Sequence, residues 1–261
     1  MTYKALAFFD LDSTLLNADS LVDDEVATAM RQLKSNDVLP VIATGRNIFE
    51  IKEIMAVTGI NSVVGGNGAF VEIDGHPAFS SPLAPGLIDL FQKFVNEQGD
   101  TFTMLNDVEG RADHLTKTLV DAYNFVNMLV VLPDPDFWKT NPVYMMVVQT
   151  LPEHDDLYRQ HFESTHELTF YRNTPSSMDI VNYGVSKQTG IQELIKAGHF
   201  EGIPTYAFGD GNNDIPMLDF VDHAVAMGNA LPHVVPHAEY QTTANTNHGI
   251  VNGLRHFDLI P

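Results

Sequence analysis

The sequence predicts an α/β protein: a parallel-sheet core interrupted by an inserted α+β domain. Three observations lead there. Apolar runs of strand length alternate with amphipathic helical stretches from residue 4 to residue 65, which is the pattern of parallel strands joined by right-handed crossovers. The runs end in small and polar residues, as strands do at the ligand-binding edge of an open sheet. The alternation stops near Pro82 and resumes after Asn182. The predicted core is therefore 1–81 with 184–261, and the predicted insertion is 82–183.

The first run, Ala5 to Phe9, carries no charge and is too short for a helix, so it reads as a strand covered on both faces. It stops at Asp10, with Asp12, Ser13 and Thr14 following. Residues 20–34 then place Val22, Val26, Met30 and Leu33 on one helical stripe, with Asp23, Asp24 and Glu25 in the favourable first turn. VLPVIATGR, Val38 to Arg46, is a second buried strand ending in Thr44 and Gly45. A second helix is expected from Ile48 to Val57, and SVVG at 62–65 is a third strand.

Asp74 and Gly75, set between alternating residues at 69–79, are a hairpin signal. The insertion then reads as a helix near 86–97, a strand at 101–105 and a helical stretch within 113–126. Strands at 143–150, 167–172 and 177–182 follow, with a helix near 153–163 between the first two. After Asn182, Ser186 can cap a helix from Lys187 to Lys196. TYAFGDGNND at 205–214 is strand then turn, Ile215 to Phe220 a short helix, and 223–230 a further strand with a small-residue end.

Composition narrows the function. The formal charge of -20, from 34 acidic and 14 basic residues, disfavours a nucleic-acid backbone or an anionic membrane surface as partner. An anionic substrate needs a local cationic site, which makes each lysine and arginine at a strand end informative. With no cysteine, disulfides and thiolate metal sites are excluded, and the chain fits a reducing compartment. The N-terminal apolar stretch is too short for a signal-peptide core and no run approaches membrane-spanning length, so a soluble, cytoplasmic protein is expected.

Asp10 and Asp12 repel each other unless a cation or shared proton intervenes, and a hard divalent metal such as magnesium, which takes carboxylate and carbonyl oxygens, is the simplest resolution. A single Asp after a strand is more often a turn or cap residue. A calcium loop fits neither acidic segment, because the required Gly and Glu are replaced by Leu15 and Leu21 in the first and by Ile215 and Val221 in the second. Gly65, Gly66 and Gly68 break the dinucleotide spacing at Val71, and the eleven histidines contain no HExxH.

Taken in order, DLDST at 10–14, ATGR at 43–46, GVSKQTG at 184–190 and GDGNNDIPML at 209–218 resemble the four motifs of the haloacid dehalogenase superfamily. The hairpin signal, NGA at 67–69 and the insertion between motifs two and three resemble its Cof-type, IIB-capped sugar-phosphate phosphatases. The resemblance implies a Rossmann-like core and a magnesium-dependent phosphatase that acts on small phosphorylated metabolites through an aspartyl-phosphate. It implies Asp10 as nucleophile and Asp12 as general acid and base, with Lys187 offsetting charge on the transferring group. Ser13, Thr14, Thr44, Gly45, Lys187 and Asn213 would hold the phosphate. Asp10, the Asp12 carbonyl and Asp210 would hold Mg2+, with Asp214 a ligand or an orienting group behind it. Asn213 would hold Lys187 or Asp10 in place. Ser13 stands where the family commonly has Gly. The inserted cap would close over the site and select the substrate.

There are two rivals: a phosphohexomutase of the same capped subclass, which would share all four motifs, and a phosphate-ligand sensor that keeps the fold without turnover. Keeping both Asp10 and Asp12 argues against the sensor, since binding alone needs no acid. The expected assembly is a monomer or small homo-oligomer.

Overall fold

A computed structural model of the chain describes residues 3–125 and 129–261. It divides into two compact units, residues 1–79 with 186–261, and residues 80–185.

The first unit begins with β1 (Ala5–Phe9), every residue of which is buried. The helix α1 (Asp24–Ser35) buries Val26, Ala27, Ala29, Met30 and Leu33 and carries Asp24 and Glu25 in its first turn. It starts later than the stripe at 20–34 suggests, because the Asn17 side chain accepts the N–H groups of Asp19 and Leu21 at 2.9 and 3.1 Å and Ser20 takes φ 59°. The strand β2 (Val38–Ala43) is wholly buried although it contains Pro40. Pro40 lies opposite Ala7 of β1, and pairing with the strand on its other side starts only at Val41. Its missing donor therefore falls where β2 has a single neighbour.

The helix expected over 48–57 is divided. A tight 3-10 turn at Ile48–Glu50 is closed by Asn47 and Glu50 in a capping box, and α2 (Lys52–Thr58) follows, stopped by Gly59 at φ 70°. Then come β3 (Ser62–Gly65), β4 (Phe70–Ile73) and β5 (His76–Ser80). Asp74 and Gly75 both have positive φ, 49° and 76°, as the turn of a two-residue hairpin requires.

In the second unit, α3 (Pro85–Gln98), β6 (Thr101–Leu105), β7 (Gly110–Ala112) and α4 (Lys117–Phe125) are followed by β8 (Leu132–Pro133) and β9 (Met145–Gln149). Residue 126, the end of the helical stretch expected within 113–126, lies outside the described residues. The helix expected near 153–163 is a 3-10 turn at Pro152–His154, then α5 (Asp155–Tyr158), then a widened turn in which the Ser164 N–H reaches the Arg159 carbonyl at 3.1 Å. The hairpin of β10 (Leu168–Thr174) and β11 (Ser177–Asn182) completes a six-stranded sheet in the order β10-β11-β9-β6-β7-β8. Its core gathers Phe91, Phe102, Met146, Tyr158, Phe162 and Phe170.

The first unit resumes with α6 (Lys187–Gly198), β12 (Thr205–Gly209), α7 (Ile215–Phe220), β13 (His223–Ala226), β14 (Tyr240–Gln241) and α8 (Gly249–His256). The eight-stranded sheet runs β14-β13-β12-β1-β2-β3-β4-β5. It is parallel from β14 to β3, and β4 pairs antiparallel with β3. β1 sits centrally, between β2 and β12, so the carboxyl ends of the three strands bearing Asp10, Thr44 and Asp210 open on one edge.

Candidate active site

Asp10 follows β1 directly, is 7% exposed, and its N–H is fixed on the Phe208 carbonyl of β12 at 3.0 Å. Lys187, at the start of α6, has no exposed surface. Its Nζ donates to Asp10 Oδ1 at 2.5 Å and to Asp214 Oδ1 at 2.6 Å. Its location follows from local sequence. Ser186 caps α6, accepting the Thr189 N–H while its own N–H goes to the Thr189 hydroxyl. Gly68, at φ 99°, and Gly190 let this first helical turn lie against residues 66–68, where a Cβ on Gly68 would stand 2.0 Å from the Ser186 carbonyl oxygen.

Asp214 is also fully buried. Its Oδ2 accepts the N–H groups of Asp210 and Gly211 at 2.8 and 2.9 Å, so the carboxylate closes the turn after β12 while its other oxygen meets Lys187. Gly209 makes room for it, since a Cβ there would lie 2.7 Å from the Asp214 carboxylate. Asp210 accepts the Thr14 hydroxyl at 2.8 Å.

Asp10, Asp210 and Asp214 each offer an oxygen within 4.8 Å of the others. Three carboxylates face one lysine. Burial raises the Asp10 carboxyl well above the usual carboxylate range; Lys187 pulls it down, but Asp214 and Asp210 add to the rise. Burial and the Asp214 charge push Asp210 up to about 6. Burial alone would lower the Lys187 ammonium, yet the charges of Asp10 and Asp214 outweigh it and the lysine is held protonated. The surplus is two negative charges when all three acids are ionised, and the donors are all oxygen. This donor set fits a hard divalent cation such as Mg2+.

Asp12 stands apart from that cluster. Its side chain is 54% exposed and both oxygens are taken by Arg46, Nε reaching Oδ2 at 2.9 Å and Nη2 reaching Oδ1. Thr44 is 1% exposed, and its hydroxyl oxygen accepts the Arg46 N–H at 3.0 Å, which leaves its proton for another acceptor. Gly45 lies between them at the same strand end. Ser13 is exposed in a left-handed conformation, φ 63°. Among the described residues, Asn213 Nδ2 donates to the buried Asn67 Oδ1 at 2.9 Å rather than to Asp10.

Sequence reasoning left four of these groups without a role. Arg46 was visible as a lone cation at a strand end in an acidic chain. Asn67 carried the signal of a polar residue within a glycine turn. Asn229 and Asn245, which hold the Ser13 and Leu16 carbonyls at 2.8 Å, carried none beyond a small-residue strand end.

Known proteins resemble the chain as a whole, over nearly its full length. YkrA of Bacillus subtilis (strain 168) is 27% identical over 261 residues, covering 98% of each chain. The HMP-PP phosphatase of Klebsiella pneumoniae (strain 342) is 25% identical over 247 residues, covering 90% of this chain and 89% of its own length. The solved structure of the HAD subclass IIB sugar phosphatase BT4131 superposes with a TM-score of 0.85 at 26% identity, covering 98% of this chain and 100% of that one. The family model for haloacid dehalogenase-like hydrolases matches residues 7–254, so nearly the whole of this chain, both strand-end aspartates and the buried lysine included, belongs to the haloacid dehalogenase-like hydrolases and is an enzyme of phosphatase type.

Proposed function

We propose that the chain is a magnesium-dependent phosphoric monoester hydrolase for small phosphorylated metabolites, sugar phosphates foremost, working through an aspartyl-phosphate on Asp10. The observation that carries this reading is Lys187, fully buried between Asp10 and Asp214. A buried ion pair adds little to stability even when well made, so stability gives a weak reason for this lysine, whereas phosphoryl transfer calls for a cation at this place.

Asp10, Asp210 and Asp214, with the Asp12 carbonyl, are the groups that would hold Mg2+. The chemistry such an ion supplies is neutralisation of charge on the phosphoryl oxygens and on the attacking carboxylate. A carboxylate oxygen of Asp10 attacks phosphorus in line as the ester P–O bond breaks, and the leaving alkoxide takes a proton from Asp12. Water then attacks the aspartyl-phosphate, Asp12 takes its proton, the bond to Asp10 breaks, and inorganic phosphate departs. To serve, Asp12 turns from Arg46 toward the leaving group. The Thr44 hydroxyl and the N–H groups of Ser13, Thr14 and Gly45 hold phosphate oxygens, with Lys187 supplying charge. Asn213, engaged with Asn67 through one amide hydrogen, has a second to give to a phosphate oxygen. The unit formed by residues 80–185 selects the substrate.

The test is phosphate release across a panel of phosphorylated metabolites, with product analysis on hexose phosphates to detect phosphoryl migration. Asp10→Asn keeps shape but removes the attacking charge, so turnover falls to background while folding persists. Near-normal activity in that variant removes the nucleophile assignment, and an isomeric hexose phosphate as main product favours the mutase.

A further inference from the structure

Ser13 has φ 63° and ψ 8°, a left-handed conformation that glycine adopts freely and a serine resists. It sits in the turn that carries Asp10 and Asp12, so its backbone sets where the neighbouring N–H groups point. Two side chains from the far end of the sequence grip this turn. Asn229 Nδ2 donates to the Ser13 carbonyl at 2.8 Å, and Asn229 Oδ1 accepts the Asn245 N–H at 2.9 Å. Asn245 Nδ2 in turn donates to the Leu16 carbonyl at 2.8 Å. The relay therefore ties two carbonyls of one turn to the loops that follow β13 and β14. Neither asparagine has a part in the chemistry above.

We propose that Asn229 and Asn245 are positioning residues that hold the turn after Asp10 in its left-handed form, offsetting the strain of a serine at position 13. The inference rests on the reading of that turn as the catalytic one. An amide at 229 must donate to Ser13 and accept from Asn245 at once, which only Asn among side chains of its length does. Aspartate accepts but cannot donate, and it faces the Ser13 carbonyl with like polarity.

The experiment is a double-mutant cycle of the full chain with Asn229→Ala, Ser13→Gly and the two combined, reading kcat and KM on p-nitrophenyl phosphate together with melting temperature. With serine at 13, losing Asn229 lowers kcat about tenfold with KM little changed, a size set by the left-handed strain. With glycine at 13 the same loss shrinks below about threefold, because glycine needs no clamp. Asn229→Asp behaves like the alanine variant. A kcat loss of equal size in both backgrounds, or none in either, overturns the proposal. If Asn229→Ala fails to fold, a folded and active double variant supports it and an unfolded double variant overturns it. Asp10→Asn is the control: turnover in that variant defeats the reading of the turn, whereas an inactive Asp10→Asn beside a fully active Asn229→Ala defeats this inference alone.

Discussion

Lys187 and Asp214 form an ion pair 2.6 Å long in which neither side chain has any exposed surface. A pair so placed gains little by existing and loses much by being broken, because the surviving charge stays in a dry site. Lys187→Met leaves Asp10 and Asp214 without their cation, and is expected to cost about 3–5 kcal/mol in urea unfolding along with all turnover. Adding Asp214→Asn to that variant recovers part of the stability and none of the activity. A loss under about 1 kcal/mol for the single variant would show that the acids find another partner.

Gly209→Ala tests the space behind the same carboxylate. The added methyl lies 2.7 Å from Asp214, closer than any side chain tolerates, so Asp214 must leave the Asp210 and Gly211 N–H groups or Lys187. Stability is expected to fall by about 1–3 kcal/mol and kcat by more than about tenfold, measured by thermal melts and steady-state kinetics. An unchanged kcat would mean that Asp214 does not need its present position.

The carboxylate cluster makes stability depend on pH in a set direction. Asp210 is pushed up to about 6 on folding by burial and by Asp214. A carboxyl raised on folding contributes stability that is present below its unfolded value and lost as pH rises through its folded value. The metal-free protein thus loses this contribution between about pH 4 and about pH 6. A bound cation reverses the loss, since it requires ionised ligands. The rise in melting temperature on adding magnesium is therefore expected to be larger near pH 7.5 than near pH 5, by calorimetry at the two values. An equal rise at both would remove the cluster as the binding site.

Replacing residues 80–185 with a short Gly/Ser linker tests the division of labour. Every catalytic candidate lies in the other unit. The remaining core is expected to fold and to hydrolyse an activated aryl phosphate slowly, since a good leaving group asks little of Asp12 or of orientation. Preference among natural sugar phosphates is expected to disappear. A core that keeps the full chain's ranking of those substrates would place selectivity elsewhere.

The alternation of buried strands and amphipathic helices was legible because Ala5–Phe9, Val38–Ala43 and Ser62–Gly65 are apolar runs bounded by turn residues, and period and length alone identify such runs. The Asp74–Gly75 hairpin was legible for a local steric reason. The strands at 110–112, 132–133 and 240–241 were not, being three, two and two residues long, too short to show a period. In the site, local signals pointed to Lys187 through its cap and to the aspartates through their strand ends. The bonds from Asp12 to Arg46, from Asn67 to Asn213 and from Ser13 to Asn229 could not be read, because they join residues 34, 146 and 216 positions apart. Only the sheet register, with Phe9 beside Ile42 and Phe208, brings those strand ends together.

The central place of β1 also governs how the chain can be made. Its partner β2 follows within the first fifty residues, but its other partner starts at Thr205. On a ribosome, the 80–185 unit has all six of its strands before β12 has been synthesised. It can fold as a nascent domain while β1 still lacks half its ladder. The apolar stretch Ala5–Phe9 then waits with one edge open for most of translation, and an unpaired apolar edge is prone to aggregate while distant pairing closes slowly. The buried cluster around Asp10 is thus among the last features the nascent chain completes, since Lys187, Asp210 and Asp214 all reach it from beyond the insertion.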